Sequence, residues 1–252
     1  MNFLFSIFNK IEYLLSILQG KGFGAYKISL NIEAKKALSF FDNSKKLVVF
    51  DIGGNIGEYT EKILDLNYNS KITIFEPSKK NSKLLFRKFE KLENVKVQNF
   101  GFNSKSGNYK LYHDKPGSPL ASLSKRSFLG SKIKFKGYEI VKFTTLKNYI
   151  KKNKLKKIDL MKLDVEGYEL NCLVGAGKFI KKISVIQFEF GGCNIDTKTY
   201  FKDFWSFFNK NSFDLYVITP FYLYKISEYS EKYENFLTTN FLAINKKFKN
   251  KK

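Results

Sequence analysis

The stretch KLVVFDIGGNIGEYT, residues 46–60, decides how this chain folds. Leu47, Val48, Val49 and Phe50 form an uninterrupted apolar run that ends on Asp51, the pattern of a short strand buried on both faces. Asp51-Ile52-Gly53-Gly54-Asn55-Ile56-Gly57 then reads as a glycine-rich turn, in which missing side chains let the backbone bend sharply and lie close to a ligand. Residues 58–66 continue with helical spacing. Strand, tight turn and helix in this order predict the first unit of an α/β sheet.

Working outward, 71–76 (KITIFE) predicts a second strand and 78–92 a second helix, started by Pro77 and Ser78. A third strand is expected over 95–100. From 101 to 145 the pattern breaks into short alternating pieces with Gly107, Gly117, Gly130 and Gly137. These predict hairpins and loops over one end of the sheet, where a lid or acceptor pocket would sit. A helix at 146–152, a buried strand at 158–163, a loop and helix through 179, and strands at 184–190, 213–218 and 241–245 complete the series. Alternating strands and helices require right-handed crossovers and a mostly parallel, doubly wound sheet. No clear helix separates the last two strands, which predicts an antiparallel edge. Ligands in such sheets sit beyond the carboxyl ends of the strands.

Nineteen residues after Gly57 stands Glu76, at the tip of the second strand, where a carboxylate can accept hydrogen bonds from adjacent ribose hydroxyls. The turn and this acid together point to an adenosine-containing cofactor. A dinucleotide would set its pyrophosphate on the helix N-terminus, which favours positive surroundings. Here Asp51 opens the loop and Glu58 stands in the first helical turn, and the spacing departs from G-x-G-x-x-G. Such acids suit the sulfonium and ammonium of S-adenosylmethionine. The plainer alternative is that Asp51 and Glu76 cap helices and the glycines only turn the chain.

A second cluster, Lys162-Leu163-Asp164-Val165-Glu166-Gly167-Tyr168-Glu169, ends the strand at 158–163. Alternation sends Lys162 and Asp164 to one side, so they can pair, and a helix cap at Asp164 or Glu166 is the structural alternative. VVFDIGGNIGEYT, FEPSKKN, the pair Ser122 and Leu123, FTTLKNYI, IDLMKLDVEGYELNCLVGA and VIQFEF follow one another in an order that resembles FkbM-type methyltransferases over about 46–191. That resemblance implies a class I methyltransferase (Rossmann-like) fold, S-adenosylmethionine as donor, and O-methylation of sugars or polyketide-type hydroxyls. It assigns Asp51, Gly53, Gly54, Asn55 and Gly57 to the donor loop, Glu76 with Pro77 to the ribose side, and Lys162, Asp164 and Glu166 to the active site. Gly54 stands where alanine is commoner in the family. The segments before 46 and after 191 carry little of the family signal, which leaves the acceptor open.

An alcohol acceptor loses a proton on methylation, so a group within hydrogen-bond reach must take it. Asp164 and Glu166 are the first candidates for that role and His113, the single histidine, is the outsider. No spacing of His, Cys, Asp and Glu marks a metal site, although Asp164 and Glu189 are conceivable oxygen ligands.

The chain holds 45 Lys and Arg against 23 Asp and Glu, a net charge of +22 that would attract anionic partners. Arg87 and Arg126 are its only arginines, and lysine is poorly shaped for bidentate phosphate recognition, so a nucleic-acid partner is disfavoured. Cys172 and Cys193 cannot build a disulfide framework, which fits a reducing, cytoplasmic compartment. The division expected is a helical leader (1–45), a methyltransferase domain (46–246) and a basic tail (247–252). In the leader, Leu4, Ile7, Ile11, Leu14 and Leu18 recur at helical spacing, while Lys10 and Glu12 interrupt any membrane span. That helix is expected to pack on the domain or to touch a membrane surface or a second copy. Competing readings are an NAD- or nucleotide-linked sugar enzyme, a basic nucleic-acid methyltransferase, and a remnant of the fold without activity.

Overall fold

The computed structural model describes residues 2–42, 44–127 and 132–249; Gly130 and the last three tail residues lie outside them. In chain order the elements are α1 (Asn2–Leu18), α2 (Ser29–Leu38), β1 (Val48–Ile52), α3 (Glu58–Leu66), β2 (Lys71–Phe75), α4 (Lys79–Phe89), β3 (Val95–Gln98), β4 (Gly101–Phe102), β5 (Gly107–His113) and β6 (Gly137–Thr144). There follow α5 (Leu146–Lys152), β7 (Ile158–Leu163), α6 (Glu169–Ala176), β8 (Ile183–Phe190), α7 (Cys193–Thr197), α8 (Phe201–Lys210), β9 (Phe213–Ile218), β10 (Leu223–Ile226), β11 (Thr239–Asn245) and α9 (Lys246–Lys249).

The main sheet runs β10-β9-β11-β8-β7-β1-β2-β3. From β3 to β8 every pairing is parallel, and β11 runs against both β8 and β9. The expected antiparallel region is therefore broader than an edge: β11 slots inside it, and β10 forms the rim. Successive side chains feed opposite layers, as the strand pleat requires. Phe50 and Ile52 join a core with α5, α6 and α8, whereas Val49 joins one with α2, α3 and α4. β7 is buried along its whole length, because parallel central strands are covered on both faces.

Three findings were not anticipated. α8 carries Phe201, Phe204 and Phe208 at helical spacing, and Phe188 stacks between Phe204 and Phe241. The middle section builds a separate sheet, β4-β6-β5. Within the segment 1–45, Ala34, Ala37 and Leu38 of α2 are core residues of the sheet. α1 behaves differently: it makes no extensive contact with another strand or helix, and most of its apolar residues stay exposed.

Candidate active site

β1 and β7 lie side by side, with Asp51 in register with Lys162. Both strands end at the same rim of the sheet, so the glycine-rich loop after β1 and the acidic loop after β7 meet there. Their contact is tight: a Cβ on Gly53, which has φ +81°, would lie 1.8 Å from the Asp164 carbonyl oxygen. The Asp164 amide donates to the Ile52 carbonyl at 3.0 Å, tying the two loops together.

Asp51 is fully buried. One carboxylate oxygen accepts from the Thr60 hydroxyl at 2.7 Å, and the other has no partner. Burial raises its pKa, and the Lys162 ammonium offsets part of that rise. Glu76 accepts from the Asn55 amide through one oxygen and from the Ser78 amide through the other, both at 2.8 Å. Burial raises Glu76 to about 7, against the pull of those two amides. Asn81 donates to the Asn55 side chain at 2.9 Å and steadies the same turn.

Lys162 donates to Asp164 at 2.7 Å, the pairing that strand alternation predicts, and its ammonium lies 5.1 Å from the centre of the Tyr59 ring. Burial works against the Lys162 charge, but Asp164, Asp51 and Glu33 outweigh it and hold its pKa above the ordinary value. Glu166 adopts φ +54° and pairs with Arg126 at 2.5 Å. Burial and the neighbouring Asp164 lift Glu166 to about 8, and Arg126 offsets only part of this. Such a carboxylate holds a proton more firmly than a solvated one.

Residues to which sequence reasoning gave no role complete the arrangement. Glu169 accepts from the amides of Val165 and Gly167 and so clamps the acidic loop; burial raises it to about 7. Ser122 donates to the Glu166 carbonyl at 2.8 Å, and Arg126 also reaches Asp196 at 3.1 Å. These bonds strap the segment after β5 across the site. Glu33 of α2 binds Ser29, Gln187 and Asn240 beside Lys162. Glu169 stands within the quoted motif string, and Arg126 is one of only two arginines, but neither signal identifies a partner across the fold.

Two clefts meet at the loops. The narrower has apolar walls from Ile52, Phe102, Leu123 and Phe143, with Gly53, Asn55, Glu76 and Pro77 beside them. The wider runs from Tyr26, Lys27 and Glu33 to Arg126, Glu166 and Glu189. Gly53, Asn55, Asp164 and Glu166 line both. Asp51 and Gly54 line a small recess between β1 and Lys162. Gly57 faces Phe89 and Leu85 and lines none of these clefts. His113, buried at the end of β5 against Gly137, is likewise away from them. Glu189 is half-buried in the wider cleft, and burial pushes its pKa well up. Among the described residues no three His, Cys, Asp or Glu side chains are grouped as metal ligands.

Residues 51–215 match the methyltransferase FkbM domain. No curated protein matches the sequence significantly. Among solved structures, an FkbM methyltransferase from Methylobacillus flagellatus KT is 15% identical, with 81% of this chain and 44% of that chain covered and a TM-score of 0.45. A precorrin-6y C5,15-methyltransferase from Geobacter metallireducens GS-15 is 12% identical, with 84% and 87% covered and a TM-score of 0.43. An rRNA methylase from Streptococcus thermophilus is 11% identical, with 85% and 94% covered and a TM-score of 0.46. The chain thus spans less than half the length of the first of these relatives.

Proposed function

Since the chain belongs to the FkbM methyltransferase family, whose donor is S-adenosylmethionine, we propose that it methylates a hydroxyl of a sugar, a glycan or a similarly small polyhydroxylated acceptor. The residues of the narrower cleft fit that donor. Glu76 keeps a free lone pair on each oxygen for ribose hydroxyls and the apolar walls suit a purine, while the acid Asp51 in the adjoining recess suits a cationic end. When bound, S-adenosylmethionine supplies an electrophilic methyl carbon that is attacked in line with the departing sulfur.

One observation carries the acceptor reading. In a chain of net charge +22, the wider cleft is lined by Glu33, Glu58, Asp164, Glu166 and Glu189 against Lys27, Arg126 and Lys162. Carboxyl groups, protonated or ionised, exchange hydrogen bonds with neighbouring hydroxyls. A lining this rich in them suits the hydroxyls of a polyol. Asp164 lines both clefts and is 39% exposed at its side chain, whereas Lys162, which orients it, is 7% exposed. Asp164 would thus face the acceptor oxygen, with its lone pairs held by a fixed ammonium. Glu166, raised by burial, would take the departing proton directly or from Asp164.

Incubation of the purified chain with isotopically labelled S-adenosylmethionine and a panel of free, nucleotide-linked and lipid-linked sugars tests this. Label on a sugar oxygen is the expected result. Transfer to RNA or DNA with none to any sugar would overturn the acceptor assignment while leaving the family intact.

A further inference from the structure

We propose that α1, with the aromatic and lysine side chains around its root, is a docking surface for an anionic lipid bilayer. Leu4, Ile7, Phe8, Ile11, Leu14 and Leu18 form one continuous apolar stripe, whereas the other side mixes Ser6, Asn9, Tyr13 and Ser16 with Phe5 and Ile17. Most of the stripe is bare: Leu4 is 59% exposed, Phe8 64% and Leu14 59%. No helix of the described residues is long and apolar enough to cross a membrane. A helix of this build lies in the plane of a bilayer surface with its apolar face among the acyl chains.

The root is fixed, so the helix is presented from a defined place on the domain. Gly20 packs against Ile218 and Val217, and Gly24 donates to the Thr238 carbonyl at 3.2 Å. Around that root stand the exposed rings of Tyr26, Tyr222 and Tyr224, the amphipathic type that settles at a lipid–water boundary, with the apolar ring of Phe221 beside them. Tyr13 and Tyr26 meet through their hydroxyls at 2.9 Å. Lysines ring the same place: Lys21 and Lys232 share a recess with Tyr222 and Tyr224, Lys36 reaches the Phe221 carbonyl, and Lys27 adjoins Tyr26.

Charge selects the occupant. A second copy would bring two lysine rings together in a chain already at +22, whereas anionic headgroups complement them. The same segment gives Tyr26 and Lys27 to the wider cleft, so a docked chain carries that cleft at the bilayer surface. This last step alone rests on the acceptor reading, and vesicle binding is read without any methyl transfer.

Flotation of the full chain with phosphatidylcholine–phosphatidylglycerol vesicles and with pure phosphatidylcholine vesicles tests the proposal, alongside the double variant Phe8→Ser, Ile11→Ser. Both side chains are exposed, so an unchanged melting temperature serves as the folding control. The expected result is binding to the anionic vesicles only, weakened about tenfold or more in the variant and reduced by added salt. Equal binding of both proteins, or binding of neither, overturns the proposal. So does a lipid-free dimer that the variant dissolves, which would assign the stripe to a second copy.

Discussion

Glu76 accepts backbone amides from Asn55 and Ser78 and still has lone pairs to offer, so its carboxylate both shapes the donor turn and faces the narrower cleft. Glu76→Ala is expected to weaken S-adenosylmethionine binding about tenfold or more, the loss of a charge-assisted hydrogen bond. Isothermal titration reads this, with NAD as a ligand expected not to bind. Asp51→Ala should act in the same direction. Unchanged donor affinity in both folded variants would remove these residues from the donor site. Asp164 has a different role. Asp164→Asn is expected to lower kcat about a hundredfold while changing donor affinity by less than tenfold, because a positioned proton acceptor acts in the transition state. The reverse pattern in steady-state kinetics and titration would make Asp164 a binding residue.

At the scale of elements, the two loops and the strap behave as one clamp. Gly53 has no room for a side chain against the Asp164 carbonyl and sits at positive φ, so Gly53→Ala must part the loops after β1 and β7. A cost of about 2 kcal/mol or more is expected, visible as a lower melting temperature together with lost donor binding. The strap is separable. Arg126→Ala frees Glu166 and Asp196 without touching the donor turn. It should raise the acceptor KM about tenfold or more, the loss of a buried charge pair, while donor affinity stays near that of the parent chain. Equal losses for donor and acceptor would show instead that the strap holds the entire rim.

For the whole molecule, Glu76, Glu166 and Glu169 all hold protons more firmly in the folded chain than an ordinary carboxylate does, at about 7, about 8 and about 7. Between the ordinary carboxylate range and these values the folded chain carries more protons than the unfolded one. Stability is therefore expected to fall as pH rises from about 5 to about 8, by on the order of 1 kcal/mol per group for each pH unit. Denaturant titrations across that window measure the slope, and Glu169→Gln, which keeps an acceptor for the Val165 and Gly167 amides, should flatten it. A slope of opposite sign would mean that the site's cations outweigh burial.

Local patterning along the chain is enough to specify the doubly wound sheet, the placement of the two motifs at one rim and the pairing of Lys162 with Asp164. Those features follow from local rules: apolar runs of strand length, glycines at the turn, and side-chain alternation along β7. Fold and family were legible there, down to Ile158–Leu163 as a strand. Long-range packing, by contrast, sets Ser122 and Arg126 as a strap over the site, Glu33 of α2 behind Lys162, Gly57 and His113 off the clefts, and α1 largely uncovered. Each of these depends on contacts between residues far apart in the chain, and periodicity carries no information about which distant surfaces meet. An amphipathic helix reads the same in sequence whether its stripe is buried or bare; the packing of the rest of the chain settles which.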